Sequence, residues 1–440
     1  MVRPALVAVV TAAALVLGAA GPAAATGPNS SLDSAFSAAS ARYGVPRDVL
    51  VALGWAQSRL DQRAAGRTGA CGVMQLTDDG ATRTLPEATA LTGLSRAELC
   101  GGAVANASGA AAVLRSYADQ EGLDRAARSD ANRWYVAVAR FAGAVDDGIA
   151  RLYADTVFDH LAAGFAGPPR LAPRAVAPVR GRLADVPAWG SAGPRSPDHP
   201  EAVWSPAHKD NFAVADREKS HPIDFVVIHV TQGAYAGTLA WFKNPRSEVS
   251  AHYTVRSTDG ALAQSVREKD IAWHAGNKDY NARSIGIEHE GFVDNPAWFT
   301  DAMYRESAAL TRALTRKYKI PRDRAHIVAH REVPGADHTD PGPHWNWTYY
   351  LQLVNGVWGK GTGTAGARLN VRGGPGTGHP VVGTVAKGAK ATIWCQRAGS
   401  RVTGTYGTST VWDRIGTNRW VAHSYLKTGH PGFIPGVPRC

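Results

Sequence analysis

Apolar residues recur along this chain in three successive rhythms. Between residues 31 and 165 they come at helical spacing, as in Leu32, Phe36, Ala39 and Tyr43, and Pro46 stands where a second helix would start. Residues 167–200 lose that rhythm and fill with proline, which reads as a semi-extended linker. From 201 to 356, strand-like and helical patterns alternate. Phe225–Val230, Ser250–Arg256, Ala261–Val266 and Ser284–His289 predict strands, and Thr300–Tyr318 predicts a helix with one apolar face. Gly359–Gly366 reads as a short flexible linker. Beyond it come short alternating strands broken by glycines, with Trp394, Trp412 and Trp420 interleaved. The pattern predicts a multidomain chain: an all-α region, an α/β region with helices on a central mixed sheet, and an all-β region.

Length and the opening residues add a compartment. Arg3, the apolar stretch Ala5–Ala20 and the small residues Ala23–Ala25 read as a signal peptide over 1–25. The stretch is short and alanine-rich for a membrane span and has no downstream counterpart. A secreted protein, extracellular or cell-wall associated and free of membrane after signal removal, is the expectation. About 415 residues would remain, enough for about three domains.

Four cysteines suit an oxidising compartment. Cys71 and Cys100 fall in the first region and Cys395 and Cys440 in the last. One bridge within each region is the simplest of the three connectivities. The net charge of +11 is uneven, since Val357–Cys440 holds eleven Lys and Arg against one acid, Asp413. In an exported protein this excess points to anionic cell-wall polymers as partner and away from nucleic acid.

The candidate chemistry lies in the central region. His229 closes one apolar run, His330 closes Ala325-His-Ile-Val-Ala-His330, and Asp340 follows in a Pro/Gly-rich stretch. Two neutral imidazoles and a carboxylate, with a fourth position open to water, are the donors of a catalytic zinc. The same donor types also serve non-haem iron, and His208-Lys-Asp210 offers ligands of that kind, but in a polar stretch without strand alternation.

Four segments around these ligands resemble the zinc-dependent type-2 N-acetylmuramoyl-L-alanine amidases, relatives of the peptidoglycan recognition proteins. They are Val226-Val-Ile-His229-Val-Thr-Gln-Gly233, Ser250-Ala-His-Tyr253, Trp273-His-Ala-Gly276 with Ser284-Ile-Gly-Ile-Glu288, and His330-Arg-Glu-Val-Pro-Gly335 through Thr339-Asp-Pro-Gly342. The resemblance implies Zn2+ on His229, His330 and Asp340. It also implies hydrolysis, by zinc-activated water, of the amide between N-acetylmuramic acid and the first L-alanine of the stem peptide. It makes Glu288 the general base. His338 occupies a position that is often lysine in the family and is the second catalytic candidate, as donor to the oxyanion. Ala251 stands where some relatives have a catalytic tyrosine. His274 and His252 are the expected substrate-binding residues, with packing or orientation of a ligand the competing role for His252. His289, on the opposite strand face from Glu288, is expected to be structural. The competing function is non-catalytic peptidoglycan binding, against which the complete ligand set argues.

The flanking regions carry resemblances of their own. Gly44-Val-Pro-Arg-Asp-Val-Leu50, Ala52-Leu-Gly-Trp-Ala-Gln-Ser58, Gly69-Ala-Cys-Gly-Val-Met-Gln75 and Trp134–Ala144 resemble the lysozyme-like lytic transglycosylases. That family needs a glutamate immediately before the serine, where this chain has Gln57. Its late Tyr-Asn pair is replaced within Arg140-Phe-Ala-Gly143. An amide cannot act as a general acid, so an inactive, glycan-binding remnant is expected. Leu369-Asn-Val-Arg-Gly-Gly-Pro-Gly376 with Val381-Val-Gly-Thr-Val385 resembles bacterial SH3-like wall-binding domains. The expected organisation is therefore a signal peptide (1–25), a lysozyme-like all-α domain (31–166), a linker (167–200), a zinc amidase domain (201–356) and an SH3-like all-β domain (365–440). Peptidoglycan is the expected partner, and a monomer the expected state.

Overall fold

The helical rhythm of the first third becomes seven helices in a computed structural model, which describes residues 28–66, 69–79, 83–144, 146–191, 194–357 and 359–440. The expected signal peptide lies outside these residues. The helices are α1 (Pro28–Tyr43), α2 (Arg47–Ser58), α3 (Thr84–Thr92), α4 (Arg96–Gly101), α5 (Ala103–Gln120), α6 (Tyr135–Phe141) and α7 (Asp147–Ala163). Small buried residues on α5, among them Ala107, Ala110, Ala111 and Ala118, let it lie close against α1. Cys71–Cys100 ties the loop after α2 to α4, and Cys395–Cys440 closes the last region, as the sequence suggested. Among the described residues no helix is long and apolar enough to cross a membrane.

The proline-rich segment is a strap rather than a free linker. Leu171 and Leu183 are buried in the helical core. Val179 N–H donates to the Asn132 carbonyl at 2.9 Å, and Arg174 and Arg180 pair with Asp48 and Asp155. Proline content sets the backbone's stiffness, but the spaced leucines anchor it.

A six-stranded mixed sheet forms the centre, with strands β1 (Val203–Trp204), β2 (Phe225–Val230), β3 (Tyr253–Val255), β4 (Leu262–Gln264), β5 (Ser284–His289) and β6 (Ile327–Ala329). Their order is β1-β4-β3-β5-β2-β6. Strands β3, β5, β2 and β6 run parallel, so their carboxyl ends share one edge, where α/β sheets bind ligands. Val226, Ile228, Ile285 and Ile287 bury one sheet face with Met303, Leu310 and Leu314 of helix α9 (Asp301–Lys317). Thr300 caps that helix, its hydroxyl accepting from Met303 N–H at 3.2 Å, and Arg316 and Lys317 complement its carboxyl end. Between β2 and β3 lies α8 (Tyr235–Lys243), and α10 (Trp347–Val354) completes the layer.

Residues 361–427 are all-β. Strands β7 (Gly361–Ala365), β8 (Leu369–Arg372), β9 (Val381–Val385), β10 (Lys390–Ile393), β11 (Cys395–Gly404), β12 (Gly407–Gly416), β13 (Arg419–Ala422) and β14 (Leu426–Lys427) form a five-stranded sheet, β9-β8-β13-β12-β11, and a three-stranded one, β10-β7-β14. Here the expected flexible linker is corrected, because residues 361–365 are the central strand β7. A Cβ on Gly361 would come within 2.8 Å of Ile434, and one on Gly363 within 2.9 Å of Leu426. These glycines serve close packing, not flexibility.

Candidate metal centre

Three neighbouring strands deliver the candidate residues to one edge. His229 and Glu288 are register partners on parallel β2 and β5, so their side chains leave the same sheet face. His330 directly follows β6. The Pro/Gly-rich loop brings Asp340 back beneath them, with its Oδ2 accepting from Val230 N–H at 3.2 Å. Asp340 Oδ1 lies 3.0 Å from His330 Nδ1 and Oδ2 lies 3.3 Å from His229 Nδ1. All three residues are buried, and their ligand atoms lie within 4.8 Å of one another. Burial holds His229 below its ordinary value, hence neutral.

A chain of hydrogen bonds sets the tautomer of His229. Ser284 Oγ donates to the Tyr280 carbonyl, which can only accept, so its oxygen accepts a hydrogen bond from His274 Nε2–H at 3.2 Å. His274, kept neutral by burial, then has a bare Nδ1, which lies 3.0 Å from His229 Nε2. His229 Nε2–H therefore donates to it, and the bare His229 Nδ1 faces Asp340. A lone pair and a carboxylate meeting in a buried space repel each other unless a cation lies between them. The donor set thus fits zinc, with His274 as the partner that orients a ligand.

His274 is consequently not in an open cleft, as the sequence suggested, but behind His229. Its imidazole lies flat across β5, where a Cβ on Gly286 would come within 2.5 Å of the ring. That contact explains the glycine in Ser284-Ile-Gly-Ile. His252 is fully buried, accepting from Gly286 N–H at 3.0 Å and lying 2.8 Å from Arg217 Nη2. Neither histidine presents itself to a substrate. Burial holds His289 at about 3, and its Nδ1–H donates to the His229 carbonyl at 2.8 Å, so it braces the strand from the other face. Glu288 is buried beside His229, whereas His338 lies at the rim, half-exposed and stacked on His330 at 4.4 Å. His208 and Asp210 belong to no metal-holding group among the described residues.

Sequence reading missed two supports. Arg217 lies in a polar stretch with no periodicity, yet it is fully buried and donates to the carbonyls of Glu268 and Ser284. Glu290 accepts from Tyr235 N–H and Ser257 N–H, which pins the start of α8. Neither has a local signal, because their partners are distant in sequence.

The N-acetylmuramoyl-L-alanine amidase family model matches residues 219–343, and the transglycosylase SLT domain model matches residues 34–147. N-acetylmuramoyl-L-alanine amidase A of Achromobacter lyticus is 34% identical over 180 residues, covering 37% of this chain and 98% of that protein. This chain belongs to the N-acetylmuramoyl-L-alanine amidase family. The 1,6-anhydro-N-acetylmuramyl-L-alanine amidase AmpD of Escherichia coli is 41% identical over 113 residues, 24% of this chain and 59% of the relative. A solved structure of a selenomethionine AmpD derivative is 28% identical, with a TM-score of 0.29, covering 35% of this chain and 94% of that one. Within this amidase, the SLT-matched region keeps no glutamate at 57, where Gln57 Nε2 donates to the Tyr153 hydroxyl at 2.7 Å. The Ser95 hydroxyl, in a helix cap, holds the Glu98 carboxyl below its usual value.

Proposed function

We propose that the chain is a secreted, zinc-dependent peptidoglycan hydrolase that cleaves the amide between N-acetylmuramic acid and L-alanine. The observation that carries this reading is the convergence of His229, His330 and Asp340, with Glu288 on the same face of the adjacent strand. Zinc bound by these three would supply Lewis acidity and lower the pKa of water towards about 7. Glu288 takes a proton from the attacking water and passes it to the leaving alanine nitrogen. His338, at the rim, donates a hydrogen bond to the oxygen on which negative charge develops. His274 and Ser284 keep the His229 lone pair turned inward, and His289 holds its backbone. Digestion of purified wall tests the reading: new N-terminal alanine is the expected product, and its absence with zinc bound overturns it.

The SLT-like region contributes no glycosidic cleavage on this reading. The full chain is expected to release neither anhydromuramyl ends nor new reducing ends, which mass spectrometry of the same digests would reveal. Gln57→Glu alone is not expected to create them, because the Tyr-Asn pair is also missing. Anhydro products from the unaltered chain would mean that another acid, such as Asp61, does this work.

The all-β region is proposed to be an SH3-like module that holds anionic wall polymers. Its excess charge is partly committed inward, for Lys360 pairs with Asp301 at 2.7 Å and Arg414 lies by Tyr304, Tyr349 and Asp301. Arg368, Lys387, Lys390, Arg397, Arg401 and Arg419 remain among the exposed cations. Exposed charges are screened beyond about 8 Å at physiological ionic strength. Adhesion to wall is therefore expected to weaken steadily as salt rises in a sedimentation assay. Adhesion independent of salt would mean a pocket that reads uncharged chemistry.

A further inference from the structure

Away from the catalytic edge, a second group of metal-ligating side chains comes together where the proline-rich strap meets helix α9. His199 and Glu201 stand at the end of the strap, just before β1, and Glu306 stands mid-way along α9. One ligand atom from each lies within 4.8 Å of the others. The two segments are distant in sequence, so only the fold makes this group.

The strap presents His199 rigidly. Ser196 Oγ accepts from the N–H groups of Asp198 and His199 at 3.2 and 3.0 Å, and the His199 carbonyl accepts from Ala202 N–H at 2.9 Å, which closes a tight turn. The Asp198 carboxylate anchors that turn, accepting from Arg267 Nε at 2.9 Å, Gln264 Nε2 at 2.8 Å and Glu268 N–H at 3.0 Å. The His199 ring is 17% exposed and packs edge-on against Tyr253. Its Nε2 is buried without a hydrogen-bond partner among the described residues, a group that a ligand would satisfy. Glu201 Oε2, at 3.9 Å, is too far to serve. Ligand bonds of about 2.0–2.2 Å would draw these atoms slightly closer around one ion.

The charges favour a cation too. Burial and then the charge of Glu201 push the Glu306 carboxyl above its ordinary value, as expected when two carboxylates share one small space. An imidazole with two carboxylates is a mixed nitrogen and oxygen set that zinc accepts, whereas calcium and magnesium favour oxygen throughout. Glu201 is exposed, and ordering it on an ion costs side-chain entropy. Metal here is therefore held less tightly than at the buried centre, and leaves on dialysis.

We propose that His199, Glu201 and Glu306 form a second, exchangeable site for a divalent transition metal such as zinc, which fastens the end of the strap to α9. Ser307, the next residue on α9, lies 2.6 Å from Nε2 of His289, the ring that braces the strand of His229. A metal here stiffens the helix behind the catalytic edge and takes no part in the chemistry. The site stands independently of the amidase reading.

Calorimetric titration of the untagged full chain with Zn2+, after dialysis, tests it. One exchangeable zinc per chain is expected to bind, and to raise the thermal midpoint as its concentration passes the Kd. His199→Ala and Glu306→Gln are each expected to weaken this binding about ten-fold or more and to abolish the zinc-dependent rise. Lost packing alone would lower the midpoint equally with and without zinc, so the difference made by zinc is the readout. His330→Ala is expected to keep the exchangeable zinc, which counts this site apart from the catalytic one. Ca2+ at the same concentration is expected to leave the midpoint unchanged. Absence of exchangeable zinc on the unaltered chain, or undiminished binding by His199→Ala and Glu306→Gln, overturns the site. An equal response to Ca2+ overturns its transition-metal character.

Discussion

His330→Ala is expected to abolish alanine release and to strip the chain of zinc. In the proposed zinc site the imidazole supplies one of three donors, and Asp340 lies 3.0 Å from it and 3.3 Å from His229. Removing it leaves two protein ligands on a cation that needs three. Loss of groups that merely orient a ligand already costs about 10- to 100-fold in affinity or activity, so loss of a ligand should cost more. Elemental analysis of purified protein would read about one zinc per chain before the change and a small fraction after it. Because His330 is buried, circular dichroism of the variant must show the unaltered helix and strand content. Full activity in a metal-free preparation would sink the zinc assignment, whatever the variant does.

Glu288→Gln is expected to retain zinc and wall adhesion yet lose roughly 10²–10⁴ in turnover, the worth of a positioned proton-transfer group. The change preserves size and one acceptor oxygen, so the buried strand end should hold its shape. What disappears is the ability to take a proton. Metal content and turnover therefore separate this variant from His330→Ala, which loses both. If Glu288→Gln turns over like the unaltered chain, the proton passes elsewhere, and His338 is the next group to replace. Its imidazole stacks on His330 at the rim.

Much of this centre was legible before the fold. Val226-Val-Ile-His229 is an apolar run and Ser284-Ile-Gly-Ile-Glu288 alternates, each ending at a polar residue, and the observed strands Phe225–Val230 and Ser284–His289 match the expected ones residue for residue. Helix α9 departs from its expected span by one residue at each end. Such features are written locally, because burial of one strand face or helix stripe imposes a period that neighbouring residues must obey. The candidate donors His229, His330 and Asp340 were named there too, and the fold brings their ligand atoms within 4.8 Å of one another.

Contacts between distant segments were not. His274 looked like a substrate-binding residue, and His252 could have bound substrate or packed, because a histidine in a loop or strand carries no mark of what covers it. Packing against Gly286 and Arg217 decided that both are internal. The glycines of β7 looked flexible because sequence cannot distinguish a glycine that must bend from one on which another chain segment must rest. The proline-rich strap read as a semi-extended linker for the same reason, although Leu171 and Leu183 are buried. By itself, then, the sequence determined the three rhythms, the strands that present His229 and Glu288, the donors, and the missing acid at Gln57. Tertiary structure alone decided the orientation of the His229 lone pair and the burial of its neighbours. Periodicity reports how a segment meets its own surroundings, whereas tautomers and close approaches depend on which remote atoms arrive there.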